Sequence, residues 1–423
     1  MPRIMIWEDG CFLRNVETDM FRRSYVFAAA ALLMLLLAPF ALAEEAQDFT
    51  AECRIERSAG KYKIERVYDR DFGTYWESDS ARNQYIQLTA PQGKKISGVY
   101  VCFWDKLRPW RIEVLKDGKW TEAGEYEARF AHEYVPLDEV DGVKIMNASG
   151  TRNSLKVNEI YVFSQGDIPS WVQRWETPAE KADILFMVAH PDDEILFFGG
   201  AIPYYAGELH KNVQVAYLTC NTSERRSELL NVMWYCGVRA YPDVGDLWDK
   251  YTKHLDKQYA AWGKKETFTR VCELYRRYRP DVVVTHDVKG EYGHGAHLAC
   301  ADAALRCVEW AADETKYTSS VKEYGTWQVK KLYYHLGSSS LLEMNWDEPL
   351  EAFGGKTGFE IAQEAYKLYV SQQNASQKNP ETGKWERFVV EPRTSQYSCY
   401  LFSLVHSAVG EDTQRSGFLE NIN

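Results

Sequence analysis

A chain of 423 residues is long enough for two domains with further segments. Its formal net charge of -11 argues against a nucleic-acid partner. The 14 tryptophans and 27 tyrosines suit carbohydrate contact, but aromatic rings also fill cores, and composition does not choose between the two.

Arg22-Arg23 precede an apolar run over 25–38, and Ala41-Leu42-Ala43 forms an A-x-A site ahead of Glu44. The pattern predicts a cleaved signal peptide over 1–43 and a secreted or cell-envelope protein, with Met20 as an alternative start. An uncleaved segment, nearly long enough to span a bilayer, is the other reading and would be the only membrane tie. No Cys follows the cleavage site directly, which argues against a lipoprotein. The nine cysteines show no C-x-x-C. Cys236, Cys272, Cys300 and Cys307 fall among apolar residues, as small core residues do. A Cys53–Cys102 pair stays open.

Residues 44–165 read as an all-β sandwich, with strands expected at 85–88, 96–103, 110–116, 142–146 and 157–163. Asp117-Gly118 marks a hairpin. The phrases at 67–76, 95–99 and 157–162 resemble the opening, an inner segment and the last strand of a discoidin-like (galactose-binding-like) domain, a jelly-roll sandwich. That resemblance implies a candidate carbohydrate-binding module. Trp104, Arg108 and Trp110 are candidate contacts, although packing is the stronger reading for each. Residues 166–180, with Pro169, Pro178, Trp171 and Trp175, read as a linker between domains.

From 181 to 423 strands and helices alternate, which predicts an α/β domain with a Rossmann-like, mostly parallel sheet. Strands are expected at 184–188, 213–219, 281–286 and 331–336. Helices are expected at 195–206, 224–236, 268–278, 296–312 and 358–370. The polar, aromatic stretch 241–264 has no clean period and is a candidate substrate loop. The C-terminal extension from about 374 holds strand-like pieces at 387–390 and 400–404 but no assignable fold. G-x-G-x-x-G is missing, so nothing points to a dinucleotide.

The chemistry gathers at two strand ends. The run 184–188 is followed by Ala189-His190-Pro191-Asp192-Asp193-Glu194, and the run 281–286 by Gly290-Glu291-Tyr292-Gly293-His294-Gly295-Ala296-His297. Taken alone, Pro191 and the acids after it make an ordinary helix start. Parallel strands, however, deliver their terminal loops to one place. Together the loops offer His190, Asp193 and His297, two imidazoles and a carboxylate, the pattern of a catalytic zinc site; ferrous iron accepts the same donors.

These motifs resemble the PIG-L / LmbE-like family of zinc-dependent N-acetyl-sugar deacetylases. Arg225-Arg226-Ser227-Glu228, followed by Leu229, Val232, Met233, Cys236 and Gly237-Val238, is similar to the family's third segment. The resemblance covers 181–372. It implies one Zn2+ held by His190, Asp193 and His297, with Asp192 as general base. It implies that His294 stabilises the oxyanion or protonates the leaving amine, that Tyr292 reaches the carbonyl oxygen, and that Arg225 holds the substrate. Glu194 is expected to brace the first loop or cap the helix, with no chemical role. His286 reads as a buried, hydrogen-bonded residue, and His132, His210, His254, His335 and His406 as structural ones. One departure stands out. The family often has His-Pro-Asp-His where this chain has His294-Gly295-Ala296-His297. Either Asp287 or Glu291 replaces the missing acid, or His294 is less basic here.

The expectation is a secreted zinc deacetylase acting on N-acetylglucosamine-type sugars of an extracellular glycan or glycoconjugate. Its partner would be a glycan or amino sugar rather than a nucleic acid. The alternatives are a zinc amidase acting on another acylated sugar or small molecule, and a glycan-binding protein whose deacetylase-like domain is inactive.

Overall fold

The computed structural model describes residues 44–104, 108–127, 129–337, 340–378 and 383–422. The leader and its cleavage site lie outside them. Residues Ala46–Asn423 form one compact unit.

Ten strands build the first half as two antiparallel sheets of five. They are β1 (Arg54–Arg57), β2 (Gly60–Lys61), β3 (Trp76–Ser78), β4 (Tyr85–Thr89), β5 (Ile96–Phe103), β6 (Trp110–Lys116), β7 (Lys119–Tyr126), β8 (His132–Val140), β9 (Gly142–Asn147) and β10 (Lys156–Phe163). The sheet orders are β1-β4-β9-β6-β7 and β2-β3-β10-β5-β8. Alternate residues face inward, as β4 shows: Ile86 and Leu88 are buried while their neighbours are half-exposed. The inner faces meet around Trp76, Val99, Ile112, Ile145 and Ile160. Asp117 and Gly118 both take positive φ, 52° and 74°, which is the turn a two-residue hairpin needs.

The linker is built into the structure rather than loose. Trp171 packs on Tyr161, with ring centroids 4.8 Å apart. Trp175 is buried against Trp234 and Tyr241 at 5.3 and 5.5 Å. The sandwich also touches the second half directly, through His132 Nε2 and Ser227 Oγ at 3.2 Å.

The second half is a seven-stranded sheet with helices. Its strands are β11 (Ile184–Val188), β12 (Val213–Tyr217), β13 (Asp243–Val244), β14 (Val282–Thr285), β15 (Lys331–His335), β16 (Leu341–Glu343) and β17 (Leu401–Ser407). The order is β13-β12-β11-β14-β15-β17-β16. The pairs from β13 to β15 are parallel, and β17 is antiparallel to both of its neighbours. All five residues of β11 are buried, as a central strand covered on both faces requires. After β11 the chain builds outward to β13, then returns to place β14 on the other side of β11. The order therefore reverses between these two strands, and ligands bind at the carboxyl ends of such a pair.

The main helices are α1 (Asp193–Leu196), α2 (Ser223–Tyr235), α3 (Leu255–Trp262), α4 (Lys264–Tyr278), α5 (Gly295–Ala312), α6 (Thr318–Tyr324) and α7 (Gly358–Tyr366). Several sequence expectations need correction. The single helix expected at 195–206 is broken: α1 stops at Leu196 and a π-helical turn runs Pro203–Glu208. Gly199, in the turn that follows α1, has φ 53°, and a Cβ there would strike Cys399 Sγ, so both the backbone and the close approach of the C-terminal extension call for glycine. The stretch 241–264 is not all loop, because it contains α3. The extension contributes β17 to the main sheet, while β16, too short for a periodic signal, was missed. Trp110 is buried and donates to Glu133 Oε2 at 3.1 Å, so it offers no glycan contact. Cys53 and Cys102 are free thiols, as are the other described cysteines.

Candidate active site

The loops after β11 and β14 meet because their strands are paired, Ile184 opposite Val282 and Phe186 opposite Val284. Two further bonds stitch them. Thr285 Oγ1 donates to Met187 O at 2.7 Å, and Ala189 N–H donates to His286 Nε2 at 3.0 Å.

Asp193 lies at the centre. Its Oδ2 accepts from His190 N at 2.7 Å and is 3.1 Å from His190 Nδ1, and its Oδ1 is 3.3 Å from His297 Nε2. His294 joins the cluster, with its ring centroid 4.8 Å from those of both His190 and His297. Two sets of metal-type donors arise: His190, His294 and His297 in one, and Asp193, His286 and His297 in the other. The His286 Nε2 lone pair is already taken by Ala189 N–H, which makes that ring the poorer donor. Burial disfavours the Asp193 charge, but His297, His190 and His286 reverse this and hold the carboxyl well below its usual range. Several imidazoles crowded on one buried carboxylate fit a divalent cation.

Asp192 is held differently. Its φ is 110°, a region that residues with a Cβ rarely adopt. The loop around it is clamped from two sides. Glu194 Oε2 accepts Asp192 N–H at 2.9 Å, and Glu194 Oε1 accepts the Tyr369 hydroxyl at 2.6 Å. Arg225 lies 3.2 Å from Asp192 Oδ2 and also donates to Pro191 O. Glu194 therefore braces the loop. Burial pushes Asp192 up to about 7 despite the Arg225 charge. That is the range a general base needs at neutral pH.

Arg225 sits in the first turn of α2, whose start is capped by Thr222 Oγ1 accepting Arg225 N–H at 3.2 Å. Its buried Nε has no hydrogen-bond partner. His294 caps α5: its Nδ1 accepts Ala296 N–H at 3.2 Å, so a neutral ring carries its proton on Nε2. Burial, together with His297 and His190, drives His294 down to about 2. Among the described residues, no carboxylate replaces the acid missing after it. Glu291, the sequence candidate for that role, instead faces His286 Nδ1 at 2.8 Å, His297 Nδ1 at 2.9 Å and His335 Nδ1 at 2.6 Å. Asp287 directs its backbone N–H to Glu291 Oε1 at 3.1 Å. His335, read from sequence as structural, thus belongs to the layer behind the site. The Tyr292 hydroxyl is given to Glu391 of the C-terminal extension.

Sequence reasoning missed Asp249. Its Oδ1 lies 3.4 Å from His190 Nε2, on the loop between β13 and α3. It also missed Glu391. Neither belongs to a motif, and only the fold brings them in.

Residues 185–308 match the family model described as PIG-L: GlcNAc-PI de-N-acetylase. The match holds β11, the first motif, α2, β14 and the second motif. A 1D-myo-inositol 2-acetamido-2-deoxy-alpha-D-glucopyranoside deacetylase from Catenulispora acidiphila is 29% identical over 215 residues, 43% of this chain and 64% of that protein. A probable N-acetylglucosaminyl-phosphatidylinositol de-N-acetylase from Schizosaccharomyces pombe is 28% identical over 133 residues, 30% of this chain and 52% of that protein. The chain thus spans somewhat less than two thirds of the length of these relatives. Among solved structures, the family 32 carbohydrate-binding module of Clostridium perfringens NanJ, in complex with galactose, aligns with 28% of this chain and 99% of its own. The identity is 15% and the TM-score 0.25.

Proposed function

We propose that the protein is a metal-dependent deacetylase that hydrolyses the N-acetyl amide of N-acetylglucosamine-type sugars. The observation that carries this reading is the pairing of a strained, clamped Asp192 with the buried cluster of His190, Asp193 and His297. Strain at a buried polar residue persists only where the surroundings enforce it, and such residues gather at active sites. The named relatives, deacetylases of acetamido sugars, support the same reading.

His190, Asp193 and His297 would hold the ion. Bound there, Zn2+ would polarise the acetyl carbonyl and acidify the attacking water. Asp192 takes the proton of that water at its carboxylate. His294, with its proton on Nε2, donates a hydrogen bond to the developing oxyanion. The leaving amine then receives its proton from Asp192, because His294 Nδ1 is committed to Ala296 N–H. Arg225 keeps Asp192 in place through its Nη2, and the family resemblance gives its guanidinium the further role of holding the sugar.

The leader sequence supports work outside the cytoplasm on an extracellular glycan, with the sandwich as a carbohydrate-binding module. Acetate release from N-acetylglucosamine oligosaccharides, with and without a chelator, tests the activity. Chelator-sensitive release supports it. A folded, metal-loaded protein that releases none refutes it.

A further inference from the structure

The loop between β13 and α3 carries two of the most exposed large side chains among the described residues. Trp248 is 61% and Tyr251 64% exposed. Single exposed apolar residues are common and need no explanation. These two differ because their loop is fastened to the candidate site. Asp249, between them, lies 3.4 Å from His190 Nε2. Thr252 O accepts Gly295 N–H at 2.8 Å, which ties the loop to the second motif. The Tyr251 ring packs edge-on to His294 at 5.0 Å. On the far side Trp248 O accepts Trp262 Nε1–H at 2.9 Å, so the backbone beneath the indole is also anchored. Tyr251 is thus held beside the cluster, Trp248 rides the same anchored loop three residues earlier, and both rings are left in water.

We infer that Trp248 and Tyr251 form a stacking platform for a sugar unit next to the one deacetylated, which makes an oligosaccharide the preferred substrate class. The chemistry favours a sugar. A pyranose ring has a C–H face that an aromatic ring covers and an edge of hydroxyls that polar neighbours bind. Here the rings alternate with polar groups: Asp246, Asp249, Lys250 and Thr252. Lys250 Nζ lies 5.2 Å over the Trp248 ring, so the patch is not purely apolar. A bare hydrophobic partner would leave those polar groups unpaired. The inference rests on the deacetylase reading for the position of the reactive sugar.

The test compares acetate release from N-acetylglucosamine and from its β-1,4 trimer, in the wild-type protein and in the Trp248→Ala and Tyr251→Ala variants. The readout is the ratio of kcat/KM for trimer over monomer, which cancels general damage to the site. The wild type is expected to prefer the trimer. Each variant is expected to lower the ratio about 5- to 10-fold, mainly through KM. Equal ratios in wild type and variants overturn the platform while leaving the deacetylase standing. If the wild type releases no acetate from either sugar, the deacetylase reading fails. The platform is then judged by calorimetric binding of the trimer. Binding lost in Trp248→Ala supports it, and no binding by the wild type overturns it.

Discussion

Glu291 Oε2 lies 2.9 Å from Nδ1 of His297, while His297 Nε2 faces Asp193. The carboxylate sits at ion-pair distance behind the ring without an aligned hydrogen bond, and Nε2 is the nitrogen turned to the candidate metal position. Buried carboxylates behind a ligating histidine orient the ring and raise its basicity. Glu291→Gln is expected to weaken metal retention about 10- to 100-fold while the fold persists. Zinc content after competition with a chromophoric chelator checks this, and unchanged retention would count against the role.

Asp192→Asn keeps the shape of the side chain and the clamp from Glu194, but removes the base. Acetate release is expected to fall about 10²- to 10⁴-fold in kcat. Bound metal should stay at the wild-type level, because His190, Asp193 and His297 are untouched. A variant with full activity would remove Asp192 from the chemistry.

His132 makes stability depend on acid. Burial holds its imidazole neutral, lowered to about 3, against the ordinary 6.5. In the unfolded chain the ring takes up a proton once the pH falls below about 6.5, so unfolding is favoured progressively from there down to about 3. This contribution to stability is complete above 6.5 and is lost as the pH falls. The thermal midpoint is expected to drop between pH 7.5 and pH 5, and less steeply in His132→Gln. Glu159 acts in the opposite direction. Burial raises it to about 8 despite Arg70, so its cost to stability grows as the pH rises from 4.5 to 8. Glu159→Gln should therefore lift the midpoint more at pH 8 than at pH 5.

Gly199→Ala places a methyl group against Cys399 at a backbone φ of 53°. The strain and the clash are expected to cost about 1–3 kcal/mol. Urea unfolding measures the loss. Because the clash lies between the turn after α1 and the C-terminal extension, Cys399→Ala in the same chain should recover part of it.

The sequence determined what depends on local pattern. The strands at 96–103 and 110–116 coincide with β5 and β6, since alternation and β-branched content are local signals. It also supplied the residues of both strand-end motifs, because a helix start after a buried strand is written in adjacent positions. The break after α1 falls at Gly199-Gly200, a local signal that the apolar run Ile195 to Ala201 masks, while the close approach of Cys399 to Gly199 comes from the fold alone. The partners of the site were hidden for the same reason. The sequence offers Glu291 as a partner for His294, but the fold turns it to His286, His297 and His335. Asp249 and Glu391 reach the site from loops with no periodic signal. Chemistry that adjacent residues share could be read from the chain. Which buried carboxylate faces which imidazole was decided only when β14 settled beside β11 and β17 beside β15, because hydrogen-bond partners distant in sequence are chosen by packing.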